Sequence, residues 1–472
     1  MSRTFESSSN DPSSPVSQLQ TAGDVSARLS ELNPRRPRVT TLLAYGSVAL
    51  PLCLAEIPIV LYLPAFYAQE LGLLPAVVGL VFLIARLWDG LSDLCVGWLS
   101  DRTTAHLGRR KTWVLFGAPF LMASTWFLCH PHGHPTLVYL SVWAALFYTS
   151  FTAVKIPHLS LGTELATDYV ERSRVTSFRE AFTMLGNLFF VLGPLIFLPA
   201  DAPLRDVLLM IALTTVISVP LSVLALGMLV PDPRLQTRHA VGLGQDLIAV
   251  IRDRILLRFV FARLVFSIEE GITNSLLVFS LGIGLGLPNK LFWVVFIIYA
   301  STFCALPITV LLTRTAEKHK LLAAGVGMQG LAFFLIFWLP PGHFALAGIF
   351  FSLVGLANAA MLSMPTAILA DIVDHGELLT GERRAGAYVA LDNLVYKLGM
   401  ALGVGFSFGL LGVVHFDPAS TVHTSVDTQH LKLLGFGLPS ALCAIVAALY
   451  LQHPITKKIQ RENRERLSVF QS

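Results

Sequence analysis

Charged residues are scarce in this sequence. Asp, Glu, Lys and Arg make up 14% of the 472 residues, whereas an average soluble domain contains about 25%. Hydrophobic residues account for 54% of the chain. This composition excludes an ordinary soluble domain and indicates a protein that crosses a membrane several times.

The sequence also lacks the short motifs of common enzymes. It has no HExxH, no GxxxxGK[ST] loop, and no GxGxxG that leads into a Rossmann helix. We therefore predict that the protein is not an enzyme and has no cofactor. Without a nucleotide-binding loop, uphill transport would be driven by an ion gradient or by the substrate's own gradient.

Cysteine is rare, and no two cysteines form a CxxC pair. All five cysteines fall in apolar runs: Cys53, Cys95, Cys129, Cys304 and Cys443. In such positions cysteine behaves as a small buried apolar residue, so neither a redox motif nor a cysteine metal site is expected.

Twelve apolar runs are long enough to span a bilayer. They lie near 40–70, 76–100, 112–130, 136–156, 178–200, 206–230, 257–286, 289–313, 320–340, 345–371, 385–414 and 433–453. We predict an all-α membrane protein with twelve transmembrane helices.

Basic residues indicate the orientation of these spans. If the N-terminus is cytoplasmic, 26 of the 34 Lys and Arg residues face the cytoplasm, three face outward, and five lie within spans. The positive-inside rule then places both termini in the cytoplasm of a cell-membrane protein. The basic residues form no concentrated face, so no nucleic-acid partner is expected. The expected partners are a small-molecule substrate and membrane lipids, and the protein is expected to be monomeric.

The longest basic link, 231–256, divides the spans into two groups of six. The predicted organisation is a disordered cytosolic tail (1–39), an N-terminal six-helix half (40–230), the linker, a C-terminal half (257–453) and a second tail (454–472). Two six-helix halves around a midplane cavity are the plan of major-facilitator transporters, although composition alone permits other twelve-span folds.

The link between the second and third spans contains a motif-like sequence. Gly97, Asp101 and Arg102 precede the basic run Gly108-Arg-Arg-Lys111. Gly97 would permit close helix approach, and Asp101 would face the positive N-terminus of a neighbouring helix. The segment resembles the intracellular loop motif of the major facilitators, where it acts as a gate latch. The alternative is a plain positive-inside loop.

The second span carries three charges near its middle: Arg86, Asp89 and Asp93. On a helix these positions share one face. Each charge at bilayer depth costs at least about 2.5–3.5 kcal/mol, so we interpret them as functional. Two carboxylates that point to one interior position suit a proton or a monovalent cation.

Other polar residues also lie within spans. Glu56 lies between prolines in the first span and would contact substrate or a proton, unless it is near the outer end of the span. Lys155 shares a helical face with Thr152 and must pair with a carboxylate or extend to the cytosolic edge. Glu269 and its neighbour Glu270 would contact the cavity or serve as polar packing.

Three further positions are expected along the transport path. Arg179 begins the fifth span and has the same two options as Lys155. Asp392 and Lys397 lie in the eleventh span. Lys397 needs an anionic partner, which Asp89 or Asp93 could provide.

Together these segments resemble the glycoside–pentoside–hexuronide:cation symporter family, within the major facilitator superfamily. The layout agrees over nearly all of residues 45–455. The detailed matches are Arg86 to Asp93, Thr152 with Ile156-Pro157, Arg179, and Ala370 to Asp374 continuing to Tyr396-Lys397-x-Gly399. The resemblance implies that Asp89 and Asp93 bind the coupling cation, as the metal site if the ion is Na⁺. It also implies that Thr152 lies near them, that Lys397 is linked to them electrostatically, and that Glu56 corresponds to a sugar-binding acid.

Two positions depart from the family pattern. Lys155 stands where melibiose-type members have an aspartate that contacts the sugar, which favours an anionic substrate and makes the coupling ion uncertain. Ser92 replaces an asparagine of the cation site and shortens its side chain.

We expect a secondary active transporter, with cation-coupled (Na⁺ or H⁺) symport of a sugar, glycoside or sugar acid by alternating access. A lysophospholipid or another amphiphile is the alternative cargo on the same fold. A non-transporting membrane receptor or scaffold is the alternative of a different class, against which the buried charges argue.

Overall fold

The computed structural model describes residues 37–103, 107–133, 135–165, 169–199, 202–231, 250–313, 315–381, 384–414, 416, 420 and 424–471. All regular secondary structure in these residues is helical. Nearly all of the expected tail 1–39 and residues 232–249 of the expected linker lie outside the described ranges, so both assignments remain predictions.

The helices are numbered in chain order. They are α1 Val39–Ser47, α2 Ala49–Leu61, α3 Leu63–Gln69, α4 Pro75–Arg102, α5 Arg109–Cys129, α6 Leu137–Glu164, α7 Tyr169–Phe197, α8 Leu204–Leu229, α9 Arg254–Phe279, α10 Leu291–Leu312, α11 Lys318–Trp338, α12 Phe344–Thr380, α13 Ala385–Val413, α14 Ser425–Lys432, α15 Leu438–Leu451 and α16 Lys457–Gln471. π-Helical turns at Ser280–Gly284 and Leu433–Gly437 extend α9 and join α14 to α15.

Ten helical segments in the described residues are long and apolar enough to cross a membrane. Helices α4 and α9 are not among them, although they contain 28 and 26 residues. Both carry several charged residues along their length, which lowers their hydropathy. The twelve predicted spans are therefore confirmed for ten segments.

The first span is divided into three short helices, as its prolines suggest. Pro58 lies within α2 and Pro64 opens α3. The backbone at the two junctions, Val48 and Tyr62, stays in the right-handed helical region. The span therefore bends without unwinding.

Two helices extend beyond the predicted apolar runs. The fourth run was expected to end at 156, but α6 continues through Pro157 to Glu164. The tenth was expected to end at 371, but α12 continues to Thr380. Hydropathy reports only the apolar part of a helix, and the polar end of α6 is held by the ion pairs of Glu164 described below.

The packing of the helices shows the same set of neighbours twice. In the first part, α6 packs against α4 and α5, α5 against α8, and α1–α2 against α7 and α8. In the second part, α12 packs against α10 and α11, α11 against α15, and α9 against α13 and α15. Each contact in the first part thus has a counterpart six spans later.

Helices α4 and α13 form the most extensive contact between the two parts. Glycines bring them close: a Cβ placed on Gly79 would lie 2.3 Å from the Phe408 Cβ, and one on Gly405 would lie 3.0 Å from Leu83 Cδ2. This contact places the polar faces of α4 and α13 opposite each other at mid-helix.

Candidate functional site

A lysine lies between two aspartates at the centre of the bundle. Lys397 Nζ on α13 is 2.8 Å from Asp89 Oδ2 and 2.5 Å from Asp93 Oδ2 on α4. Asp89 is 2% exposed. The structure thus brings Lys397 together with two aspartates that lie about 300 positions earlier in the sequence. It satisfies the predicted need of Lys397 for an anionic partner.

Hydroxyl groups complete this cluster from α6. Thr152 Oγ1 lies 3.2 Å from Asp89 Oδ1 and 2.8 Å from Asp93 Oδ1, and it is fully buried. Because a threonine hydroxyl has one proton, it donates to one carboxylate at a time. Ser92 Oγ lies 2.9 Å from the Asp89 carbonyl oxygen and 3.3 Å from Thr152 Oγ1. All four predicted cation-site residues are therefore adjacent.

Arg86 contributes a second positive charge one turn away. Its Nη1 lies 3.7 Å from Asp89 Oδ2, and its guanidinium lies over the Tyr148 ring at 5.1 Å. The residue is 8% exposed. Two carboxylates and two cations give the cluster no net formal charge, which reduces the cost of burying each of them.

The carboxylate and hydroxyl oxygens of this cluster are hard ligands for a cation. The described residues contain no group of three or more His, Cys, Asp or Glu side chains that could hold a metal ion. The Lys397 ammonium occupies the interval between the two carboxylates. An external cation that uses the same oxygens would therefore compete with this side chain.

Lys155 and Glu56 form a second pair between α6 and α2. Lys155 Nζ is 3.1 and 3.3 Å from the two carboxylate oxygens of Glu56, and it lies 4.8 Å from the centre of the Phe151 ring. Both side chains are about one-third exposed, at 34% and 35%. Of the two alternatives for Lys155, the structure shows pairing and not extension to the membrane edge.

Two other predicted path residues are bound elsewhere. Asp392 Oδ1 faces Arg263 Nε at 3.7 Å rather than Lys397. Arg179 pairs with the adjacent Glu180. Neither residue contacts the aspartate pair, so their geometry indicates no direct role in that pair.

The two neighbouring glutamates of α9 point to different surroundings. Glu269 is fully buried and accepts from Thr273 Oγ1 at 2.8 Å and from Gln329 Nε2 on α11 at 3.3 Å. Glu270 accepts from Tyr396 Oη on α13 at 3.0 Å. The first residue is thus polar packing between helices, and the second faces α13 near the central cluster.

The structure describes only some of the side chains of the predicted gate motif. A Cβ on Gly97 would lie 3.8 Å from Ile156 Cγ2, an ordinary contact, so close approach does not require this glycine. The Arg102 guanidinium lies over the Trp98 ring at 4.0 Å. The side chain of Asp101 lies outside the described part of the structure, and its predicted role stays a prediction.

Glu164 holds the basic run of this motif in place. Arg109 Nη2 and Arg110 Nη2 lie 2.7 and 2.9 Å from its Oε1, and Arg110 Nη1 donates to Ser100 Oγ at 2.8 Å. The carboxylate thus links the end of α6 to the start of α5. Sequence reasoning missed Glu164 because the residue lies beyond the apolar run.

An equivalent link occurs in the second part of the chain. Lys318, the first residue of α11, lies 2.7 Å from Asp371 Oδ2 on α12. Gln460 of α16 also donates to Asp371. The second part therefore lacks the sequence motif but keeps an ion pair between the corresponding helices. The basic residues of the loop and the acid of the tenth run were the available signal.

Comparisons with known proteins agree with this architecture. The sequence model of the family described as MFS/sugar transport protein matches residues 44–457. Among solved structures, the nucleoside transporter NupG (D323A mutant) superposes with a TM-score of 0.66 at 14% identity, covering 88% of this chain and all of that one. This likeness shows the major-facilitator fold.

Several curated proteins are similar over most of their length. An uncharacterized symporter of Synechocystis sp. is 24% identical, with 93% of this chain and 98% of that protein aligned. The glucuronide carrier protein homolog of Escherichia coli is 22% identical (85% and 89%), and the sodium-dependent lysophosphatidylcholine symporter 1-B of Danio rerio is 24% identical (85% and 84%).

The family model spans most of the chain, and the relatives align across both parts of the bundle, including the helices that carry the aspartate pair and Lys397. The resemblance inferred from the sequence is thus confirmed. This chain belongs to the MFS/sugar transport protein family of the major facilitator superfamily.

Proposed function

We propose that the protein is a secondary active transporter that couples import of a small organic substrate to a cation, Na⁺ or H⁺. The observation that carries the proposal is the buried contact of Lys397 with Asp89 and Asp93. Buried ionisable residues within spans are expensive and mark ion pathways by default. A scaffold would gain nothing from them, which argues against a non-transporting receptor.

Competition between the ammonium and the coupling cation would link ion binding to helix movement. A proton that neutralises Asp93, or a Na⁺ that takes oxygens from both carboxylates and Thr152, weakens the hold on Lys397. Because Lys397 belongs to α13 and the aspartates to α4, this change acts on the main contact between the two parts of the bundle. No other cofactor is proposed.

The same contacts support twelve spans in two six-helix halves, with α4 and α9 as the two charged spans. The repeated set of helix neighbours supports parallel repeats. The basic loops support a cell-membrane protein with both termini in the cytoplasm, and we propose that it is a monomer.

The structure corresponds to a state closed on the outer side in this proposal. Contacts between the halves lie at the ends opposite the basic loops: Gly79 against Phe408, and Tyr62 edge-on to Phe292 with ring centres 5.8 Å apart. The paired charges at Glu164 and Asp371 each stay within one half. Alternating access would open the outer contacts and close the inner ends.

A sugar, glycoside or sugar acid is the cargo that we propose. The partly exposed Glu56–Lys155 pair offers an acceptor and a donor in one place, and hydroxyl groups of a sugar use both. The ammonium would also pair with an acidic sugar, and a glucuronide carrier is among the relatives. Arg179 and Asp392 would affect the transport path only through the residues that they pair with, Glu180 and Arg263.

A lysophospholipid is the second candidate cargo, because a sodium-dependent lysophosphatidylcholine symporter aligns with 85% of this chain. Uptake by the purified protein in proteoliposomes tests both. A panel of sugars, uronates and lysophospholipids would be offered with a Na⁺ gradient, a proton gradient or neither. If D93N takes up a transported cargo at the same rate as the wild type, the coupling role of the aspartate pair is refuted.

A further inference from the structure

A groove lies between α9 and α15, at the end of the bundle that carries the basic loops. Its volume is about 400 Å³, within the range of small-molecule sites. The walls are partly apolar, with Leu257, Phe261 and Leu449, and partly polar, with Arg258 and Gln452. The groove is separate from the aspartate pair and from the Glu56–Lys155 pair.

Arg258, on the exposed face of α9, lines this groove, and Arg254 lies one turn before it. Arg254 and Arg258 are four residues apart, so they lie one above the other on the helix. Within the described residues neither has an ion-pair or hydrogen-bond partner, and both are exposed. The nearby carboxylate of Asp253 is already used: it caps Ile255 and Leu256 and accepts from Tyr388 Oη.

Helix stability does not explain this pair of cations. Cations near a helix N-terminus are unfavourable because they face the positive end of the dipole, and like charges four residues apart repel. An anion at the start of α9 would relieve both effects. The charges of the site are therefore complementary to a phosphate group.

We propose that this groove binds an anionic glycerophospholipid of the leaflet that faces the basic loops. The phosphate would lie against Arg254 and Arg258, the headgroup would reach Gln452, and an acyl chain would follow Leu257 and Phe261. Basic pockets between helices at this depth suit anionic lipid headgroups. Identifying the leaflet as cytoplasmic rests on the orientation proposed above, whereas binding itself does not depend on transport.

Native mass spectrometry of the full chain, released from nanodiscs, measures the proposed binding. The wild type should retain phosphatidylglycerol in preference to phosphatidylcholine with the same acyl chains. Affinity should fall about fivefold for each arginine removed, in R254Q, R258Q and the double variant. R258K should keep most of the binding. R252Q is the matched control, since Arg252 is exposed but lies in the turn before α9, off the helical face that Arg254 and Arg258 share.

Three outcomes would overturn the proposal. Equal retention of the two lipids would show that the groove binds any amphiphile through its apolar walls. Unchanged preference in the double variant would place the anion elsewhere. Thermal stabilisation by soluble glycerol phosphate that equals the stabilisation by phosphatidylglycerol would indicate a free-phosphate site. If the double variant does not fold, the comparison of R258Q with R258K still decides the role of the charge.

Discussion

Replacing Lys397 by methionine should convert an occupied cation site into an empty one. Methionine keeps the length and removes the ammonium, which leaves Asp89 and Asp93 facing each other with Arg86 as the remaining cation, 3.7 Å from Asp89. At 2.8 Å and an effective dielectric constant of 20, the lost attraction to one carboxylate is about 6 kcal/mol. Relaxation lowers this value, and breaking a buried pair costs about 3–5 kcal/mol in practice.

The variant should recover this free energy when a cation occupies the site. We expect K397M to unfold at a lower temperature than the wild type in sodium-free buffer at high pH. Addition of the coupling ion should restore much of the loss. A gain of about 3 kcal/mol corresponds to roughly a hundredfold increase in affinity for that ion.

Intrinsic tryptophan fluorescence during heating provides the assay. A Na⁺ titration at fixed pH and a pH series without Na⁺ identify the ion, and K290M is the control, because Lys290 lies over Phe344 away from the cluster. The double variant K397M/D93N should be less cation-dependent than K397M alone. If Na⁺ and protons raise the unfolding temperature of K397M no more than that of the wild type, the competition between lysine and cation is refuted.

Three further predictions concern single sites. Thr152→Val should weaken ion activation of uptake about tenfold or more, because a hydrogen bond to a charged group is worth about 1.5–3 kcal/mol, whereas Thr152→Ser should retain it; equal activation constants would contradict the geometry. Gly79→Ala should slow uptake by obstructing the contact with Phe408, while Gly409→Ala, where the added methyl meets open space, should not; similar rates for the two variants would remove the gating role. Burial and the neighbouring His319 lower the pKa of His453 to about 4. As the pH falls, the imidazole therefore takes up a proton in the unfolded chain before it does so in the folded one. The free energy of unfolding should fall by up to about 3 kcal/mol as the pH drops from 6.5 to 4. His453→Gln should flatten that part of the curve in thermal unfolding, and an unchanged slope would contradict the assignment.

Charge within an apolar run was the most reliable sequence signal. Asp89 and Asp93 were identified from the cost of burying them, and Lys397 from its need for a counter-ion. Both arguments hold in any membrane protein, because lipid cannot satisfy these groups. The same reasoning left Lys155 with two alternatives, since the energy of pairing and that of reaching the headgroups are similar.

Partners across the bundle could not be read from the sequence. Nothing in the local pattern around Asp392 points to Arg263 as its partner, because that arginine lies on α9, about 130 positions earlier in the sequence. Glu164 and Asp371 were likewise assigned no role as links between neighbouring helices. Their positions in folded helices depend on how far α6 and α12 extend beyond the apolar core.

The sequence by itself determined that the chain crosses a membrane, where most spans lie, and which charges within them need a partner, because these follow from the cost of placing polar groups in hydrocarbon. Only the tertiary structure decided that Lys397 occupies the interval between Asp89 and Asp93, and that Glu56 neutralises Lys155. These pairings depend on which helix faces meet, and small residues such as Gly79 and Gly405 set that contact through packing.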